Sequence, residues 1–75
     1  KVTRTSPKED IVWLQTKLRQ LVEGYKVKVT GVYDAPTRIA LLMYWEQLGW
    51  GRHMNDDGTV AGNATCTALA QNRKE

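Results

Sequence analysis

Gly31-Val32-Tyr33-Asp34-Ala35-Pro36-Thr37-Arg38-Ile39-Ala40-Leu41-Leu42-Met43-Tyr44-Trp45-Glu46-Gln47-Leu48-Gly49-Trp50 reads as a turn, a capped helix and a stop. Pro36 suits a first helical turn, where its fixed φ is already helical and its missing N–H would have had no partner. Asp34, or Thr37 in a later register, can accept from the free amides of that turn. Gly49 supplies the left-handed position that ends helices, so a helix of roughly three turns is bounded on both sides. The rest of the chain is expected to pack against it. Its apolar run is unbroken from Ile39 to Trp45, more than one stripe can use. At about 100° per residue, Thr37, Ala40, Leu41, Tyr44 and Leu48 share one face, Arg38, Leu42 and Trp45 lie roughly opposite, and Ile39 and Met43 fall between. A chain this short cannot cover such a helix on every side. Leu42 and Trp45 are therefore candidates for a contact face.

Upstream, Ser6-Pro7-Lys8-Glu9 has the form of a capping box, and Ile11, Leu14, Leu18, Leu21 and Val22 follow at helical spacing, with Gln15, Lys17, Arg19 and Gln20 outside the stripe. A first helix is expected from about Pro7 to Val22, with Trp13 at its flank. Lys1 to Thr5 read as a flexible lead-in. Lys26-Val27-Lys28-Val29-Thr30 alternates as a strand would, but one hairpin is marginal alone, so an extended connection and no sheet is expected. Downstream, residues 51–58 read as a polar loop closing on Asp57-Gly58. A last helix fits Asn63 to Asn72, with Thr65, Ala68 and Leu69 inward and 73–75 a tail. Thr37-x-x-Ala40-Leu41 and Thr65-x-x-Ala68-Leu69 each follow a glycine turn, so two copies of one turn-helix unit are expected.

Seventy-five residues make one domain, here 6–72. Hydrophobic content of 41% beside 25% charged residues is that of an ordinary globular chain. No apolar run approaches the ~20 residues of a membrane span, and none near the start resembles a secretion signal. A chain opening on Lys1 is expected to be processed or cut from a longer protein. The +3 charge is mild, and its Lys and Arg are scattered, which fits attraction to an anionic polymer better than reading of nucleic acid. One cysteine excludes an internal disulfide, and Cys66 reads as a small buried thiol. His53 and Cys66 are single and share no motif, so neither a zinc site nor a Cys-His nucleophile is expected. Asp56-Asp57-Gly58 has the look of a calcium loop but lacks the closing glutamate. No catalytic residue, metal or cofactor is expected.

Taken in order, the motifs resemble the peptidoglycan-binding domain 1 family, the three-helix modules of bacterial and phage cell-wall hydrolases. The resemblance spans Ile11 to Leu69: Ile11-x-x-Leu14-Gln15-x-x-Leu18-x-x-Leu21, Gly24-Tyr25, Gly31-Val32-Tyr33-Asp34-x-x-Thr37-x-x-Ala40-Leu41-x-x-Tyr44, Gly49-Trp50, Asp57-Gly58-x-Val60 and Thr65-x-x-Ala68-Leu69. Trp45 departs from it, standing where the family commonly has Gln, as does Cys66, where an aromatic is common. The resemblance implies an all-α fold: a small three-helix bundle with a pseudo-repeat of turn-helix units and an extended connection between helices one and two. It further implies a non-catalytic, secreted or wall-associated, monomeric module that targets an attached hydrolase to peptidoglycan, with no role for nucleic acid or membrane. The expected ligand-binding residues are Tyr33, Asp34, Arg38, Leu42, Trp45, Trp50 and Asn63. Trp45 and Trp50 would offer flat surfaces to sugar rings and stem peptides, Arg38 would pair with an anion, and Tyr33, Asp34 and Asn63 sit at helix starts. The alternative is a protein-interaction module like the propeptides of matrix metalloproteinases, which share the fold; a DNA-binding three-helix domain comes after both.

Overall fold

The computed structural model describes residues 1–51 and 57–75. Its elements, in order, are strand β1 (Val2–Thr3), helix α1 (Lys8–Leu21), helix α2 (Ala35–Gln47), strand β2 (Val60–Ala61) and helix α3 (Asn63–Ala70). The fold is the expected all-α three-helix bundle. Helix α1, not the central helix, is the element that packs against α2, α3 and β1 alike. Ile11, Leu14, Leu18, Leu21 and Val22 are all buried, as their spacing requires.

The ends of the helices show which local signals were used. Asp34 caps α2, its Oδ1 accepting from the Thr37 amide at 3.5 Å and the Thr37 hydroxyl at 3.1 Å. Gly49, at φ +78°, closes it: the Gly49 amide donates to the Glu46 carbonyl at 3.0 Å and that of Trp50 to Trp45 at 2.7 Å. This is the paired bonding of a Schellman stop. Helix α3 stops the same way at Asn72, φ +57°, with the Asn72 amide on Leu69 and that of Arg73 on Ala68, both at 3.0 Å. Asn stands in for Gly there because its short polar side chain tolerates the left-handed region.

The capping box at Ser6 does not form. Pro7 takes the N-cap position of α1 with no side-chain cap, and the Ser6 hydroxyl accepts from the Thr3 amide at 2.9 Å instead. That bond belongs to the turn leading out of β1. The residues read as a lead-in are in fact held: Val2 pairs antiparallel with Ala61, and Thr3 with Val60. Val2 is buried, and covering such a side chain is worth about 1.5 kcal/mol or more. The tail is held too. Tyr44 Oη donates to the Arg73 carbonyl and Gln47 Nε2 to the Lys74 carbonyl, both at 2.7 Å. Residues 25–30 carry no helix and no assigned strand.

Both turn-helix units are present, and the structure shows what their threonines do. Thr37 and Thr65 each sit at the third residue of their helix, fully buried. Each accepts a hydrogen bond from a side chain of the preceding helix: Gln15 Nε2 to Thr37 Oγ1 at 2.9 Å, and Trp45 Nε1 to Thr65 Oγ1 at 2.9 Å. Gln15 does more. Its Oε1 accepts from the Thr30 and Gly31 amides and its Nε2 donates to the Val32 carbonyl, each at 2.8 Å. Gln15 is thus buried, contrary to its expected place outside the stripe, because it pairs the backbone groups of the turn at 30–32, where the Thr30 hydroxyl adds only a longer bond to the Val32 carbonyl at 3.4 Å.

Candidate functional site

The expected contact residues fall in four places. Tyr33, Asp34, Arg38 and Leu42 gather where α2 begins, around the turn at Asp57-Gly58. Tyr33 is half-buried and donates to the Gly58 carbonyl at 2.8 Å. Arg38 Nε donates to the Asp57 carbonyl at 3.1 Å, and its guanidinium lies 3.5 Å from the Asp57 carboxylate. A hydrogen bond from the Thr59 side chain, and then the Arg38 charge, hold the Asp57 carboxyl below its ordinary range. Leu42 is 40% exposed, beside Ile39 at 48%. A Cβ on Gly58 would stand 2.8 Å from the Arg38 carbonyl oxygen and 3.2 Å from Leu42 Cγ, so this turn rests directly on the α2 backbone.

Trp45 is a correction. It is 1% exposed, with its indole nitrogen bonded to Thr65, so its ring offers nothing to a ligand. It lies only about 40° around the helix from Leu41 and so joins the core stripe; the outward apolar positions are Ile39 and Leu42. Trp50 lies past the other end of α2, about 20 Å from its start by helical rise. It packs partly against the core, with the Arg73 guanidinium 5.5 Å from its ring centroid. Asn63 is exposed at the start of α3, Oδ1 accepting from the Lys1 backbone nitrogen at 3.2 Å. Cys66 is half-buried, its thiol 3.5 Å from the Ala61 carbonyl. The readings of His53 and Asp56 lie outside the described residues. Among the described residues no group of histidine, cysteine and carboxylate side chains could hold a metal ion, and no helix is long and apolar enough to cross a membrane.

Sequence reasoning missed two clefts. One is lined by Arg4, Ser6, Lys8, Thr30, Val32 and Tyr33, and the other by Tyr25, Lys26, Lys28, Thr30, Asp34 and Pro36. They meet at Thr30. The Lys8 stem lies across Gly31, where a Cβ would stand 2.6 Å from its Cε. The signal in the sequence was the alternation Lys26-Val27-Lys28, which puts one buried valine between two exposed cations. Arg4 and Lys8 reach the same face only through the β1 turn, which no local pattern announced. Comparison with protein-family models, with curated proteins and with solved structures finds no match to this chain.

Proposed function

We propose that this domain is a peptidoglycan-binding module that holds an attached cell-wall hydrolase at its substrate, acting as a monomer outside the cell. The observation that supports this reading is the pair of turn-helix units: the motif residues that resemble the wall-binding family, Gln15, Thr37, Ala40, Leu41, Thr65, Ala68 and Leu69, are all buried in equivalent structural roles. The catalytic chemistry is assigned to the attached domain. Weak single-site binding suffices for targeting, because tethering raises the local concentration of the enzyme at a polymeric substrate. A second reading, docking of this module on a protein, rests on the exposed Ile39 and Leu42 of α2.

Sedimentation with insoluble peptidoglycan stripped of teichoic acid tests both. The wall reading expects the wild-type domain in the pellet, and Ile39→Ser/Leu42→Ser there to the same extent. A wild type that stays in the supernatant at low and moderate salt refutes it.

A further inference from the structure

Six cationic side chains, those of Lys1, Arg4, Lys8, Lys26, Lys28 and Lys74, make no ion pair or hydrogen bond among the described residues, and four of them, Arg4, Lys8, Lys26 and Lys28, line the two clefts that meet at Thr30. The other lysines and arginines with a side-chain partner are committed: Lys17 to Asn72, Arg19 to the Val27 carbonyl, Arg38 to Asp57, and Arg73 to the Glu75 carbonyl. The carboxylate on this face, Asp34, is occupied in capping α2. Beside the cations runs a length of backbone in no helix or strand, and the amides of its exposed residues Lys26, Lys28 and Val29 have no acceptor within the domain among the described residues. Val32, 60% exposed, supplies an apolar surface at the first cleft. Unpaired cations, free donors and a small apolar surface on two adjoining clefts are complementary to a chain that carries carboxylates and small apolar side chains.

We propose that this track binds carboxylate-bearing peptide, and, resting on the wall reading above, that the peptide is the stem of peptidoglycan. Lys8 and Lys28 stand on the two clefts and take separate carboxylates. Val32 and Pro36 cover small side chains between them. A polyol phosphate chain has the charge but nothing to place on Val32, so teichoic acid is the disfavoured ligand.

The test uses the 75-residue chain, purified sacculi free of teichoic acid, and the same sacculi with their carboxyl groups converted to neutral amides. Lys8→Gln/Lys28→Gln removes two cations from the track. Lys17→Gln/Lys74→Gln removes two elsewhere and keeps the net charge equal. Each exposed pair contributes modestly, so the track variant is expected to bind native sacculi about five- to tenfold more weakly than wild type, with the control within about twofold. Wild type should lose a similar factor on amidated sacculi. Equal losses in the two double variants would reduce the effect to net charge and overturn the proposal, as would undiminished binding to amidated sacculi. In both of those cases wild type still sediments and the wall reading stands. Failure of wild type to bind any sacculi removes the wall reading and this proposal together. Tighter binding to sacculi that retain teichoic acid, lost in the track variant, would assign the track to phosphate instead.

Discussion

Gln15→Ala is the substitution to which this fold should be most sensitive for its size. Four hydrogen bonds of 2.8 to 2.9 Å end on that side chain, from the Thr30 and Gly31 amides and to the Val32 carbonyl and Thr37 hydroxyl. A net value of about 1 kcal/mol each gives about 4 kcal/mol, and water reaching the partly buried loop amides returns some of it, leaving about 3 kcal/mol. Against the ~4–11 kcal/mol expected of a domain this size, that is a large share. With a urea m-value of about 1–1.5 kcal/mol/M, the midpoint measured by tryptophan fluorescence should fall by roughly 2–3 M. A cycle with Thr37→Val, which keeps the shape and deletes the hydroxyl, should give a coupling of about 1 kcal/mol. A midpoint shift under about 0.5 M, or strict additivity in the cycle, refutes the account of Gln15 as the side chain that holds the 30–32 turn to α2.

Gly58→Ala combines a φ of +87° with a backbone clash at 2.8 Å, whereas Gly24→Ala has φ +82° and open space. Thermal melts should show about 1 kcal/mol lost at Gly24 and at least twice that at Gly58; equal losses would deny the contact with α2. Arg38→Ala should leave the melting temperature almost unchanged, because both partners of the ion pair are largely exposed at 41% and 66% and water screens their attraction. Carbon-detected titration should place the Asp57 midpoint below 3.8 in wild type and nearer to it in the Arg38 variant, with the Thr59 bond still contributing. Its lowered value makes the turn hold above the ordinary carboxylate range and loosen only as pH falls through the folded midpoint. Burial raises the Tyr44 phenol above 10.0, offset in part by Arg73, so the folded state keeps a proton that the unfolded state gives up. Stability from this group is full below pH 10 and declines as pH rises past it. Denaturation from neutral pH to pH 11 should show an alkaline loss in wild type that is smaller in Tyr44→Phe.

Features set by a few neighbouring residues were legible. Asp34, Pro36 and Gly49 act within one turn of α2, and all three do what their types suggest. Positions decided by distant partners were not. In an apolar run from Ile39 to Trp45, residues 40° apart cannot be sorted by hydropathy, and Trp45 is drawn inward by a hydroxyl on another helix. Gln15 looked like surface because glutamine commonly is; yet Leu14-Gln15-x-x-Leu18 and Tyr44-Trp45-x-x-Leu48 match in spacing, and each precedes a glycine turn and a threonine. Reading those as equivalent would have placed both side chains. The β1–β2 pair is two residues long, too short for any period to show.

That equivalence also explains how the candidate residues are distributed. A glutamine at the bracket position carries two donors and an acceptor oxygen, so Gln15 holds Thr37 and the whole 30–32 turn from inside. A tryptophan carries one donor, and Trp45 spends it on Thr65. The second turn, at 57–58, must then be held from outside, and Tyr33 and Arg38 do this through the Gly58 and Asp57 carbonyls. Two residues expected to contact a ligand are thus engaged in supporting a turn, as a consequence of Trp45 occupying a place that suits glutamine. The first turn needs no such support, so Val32 and the cations beside it remain uncommitted. On the track proposal, recognition falls to the first unit and structural support to the second: Arg38→Ala should change wall binding less than Lys8→Gln/Lys28→Gln, and the reverse order in a sedimentation assay would return the proposed site to the start of α2.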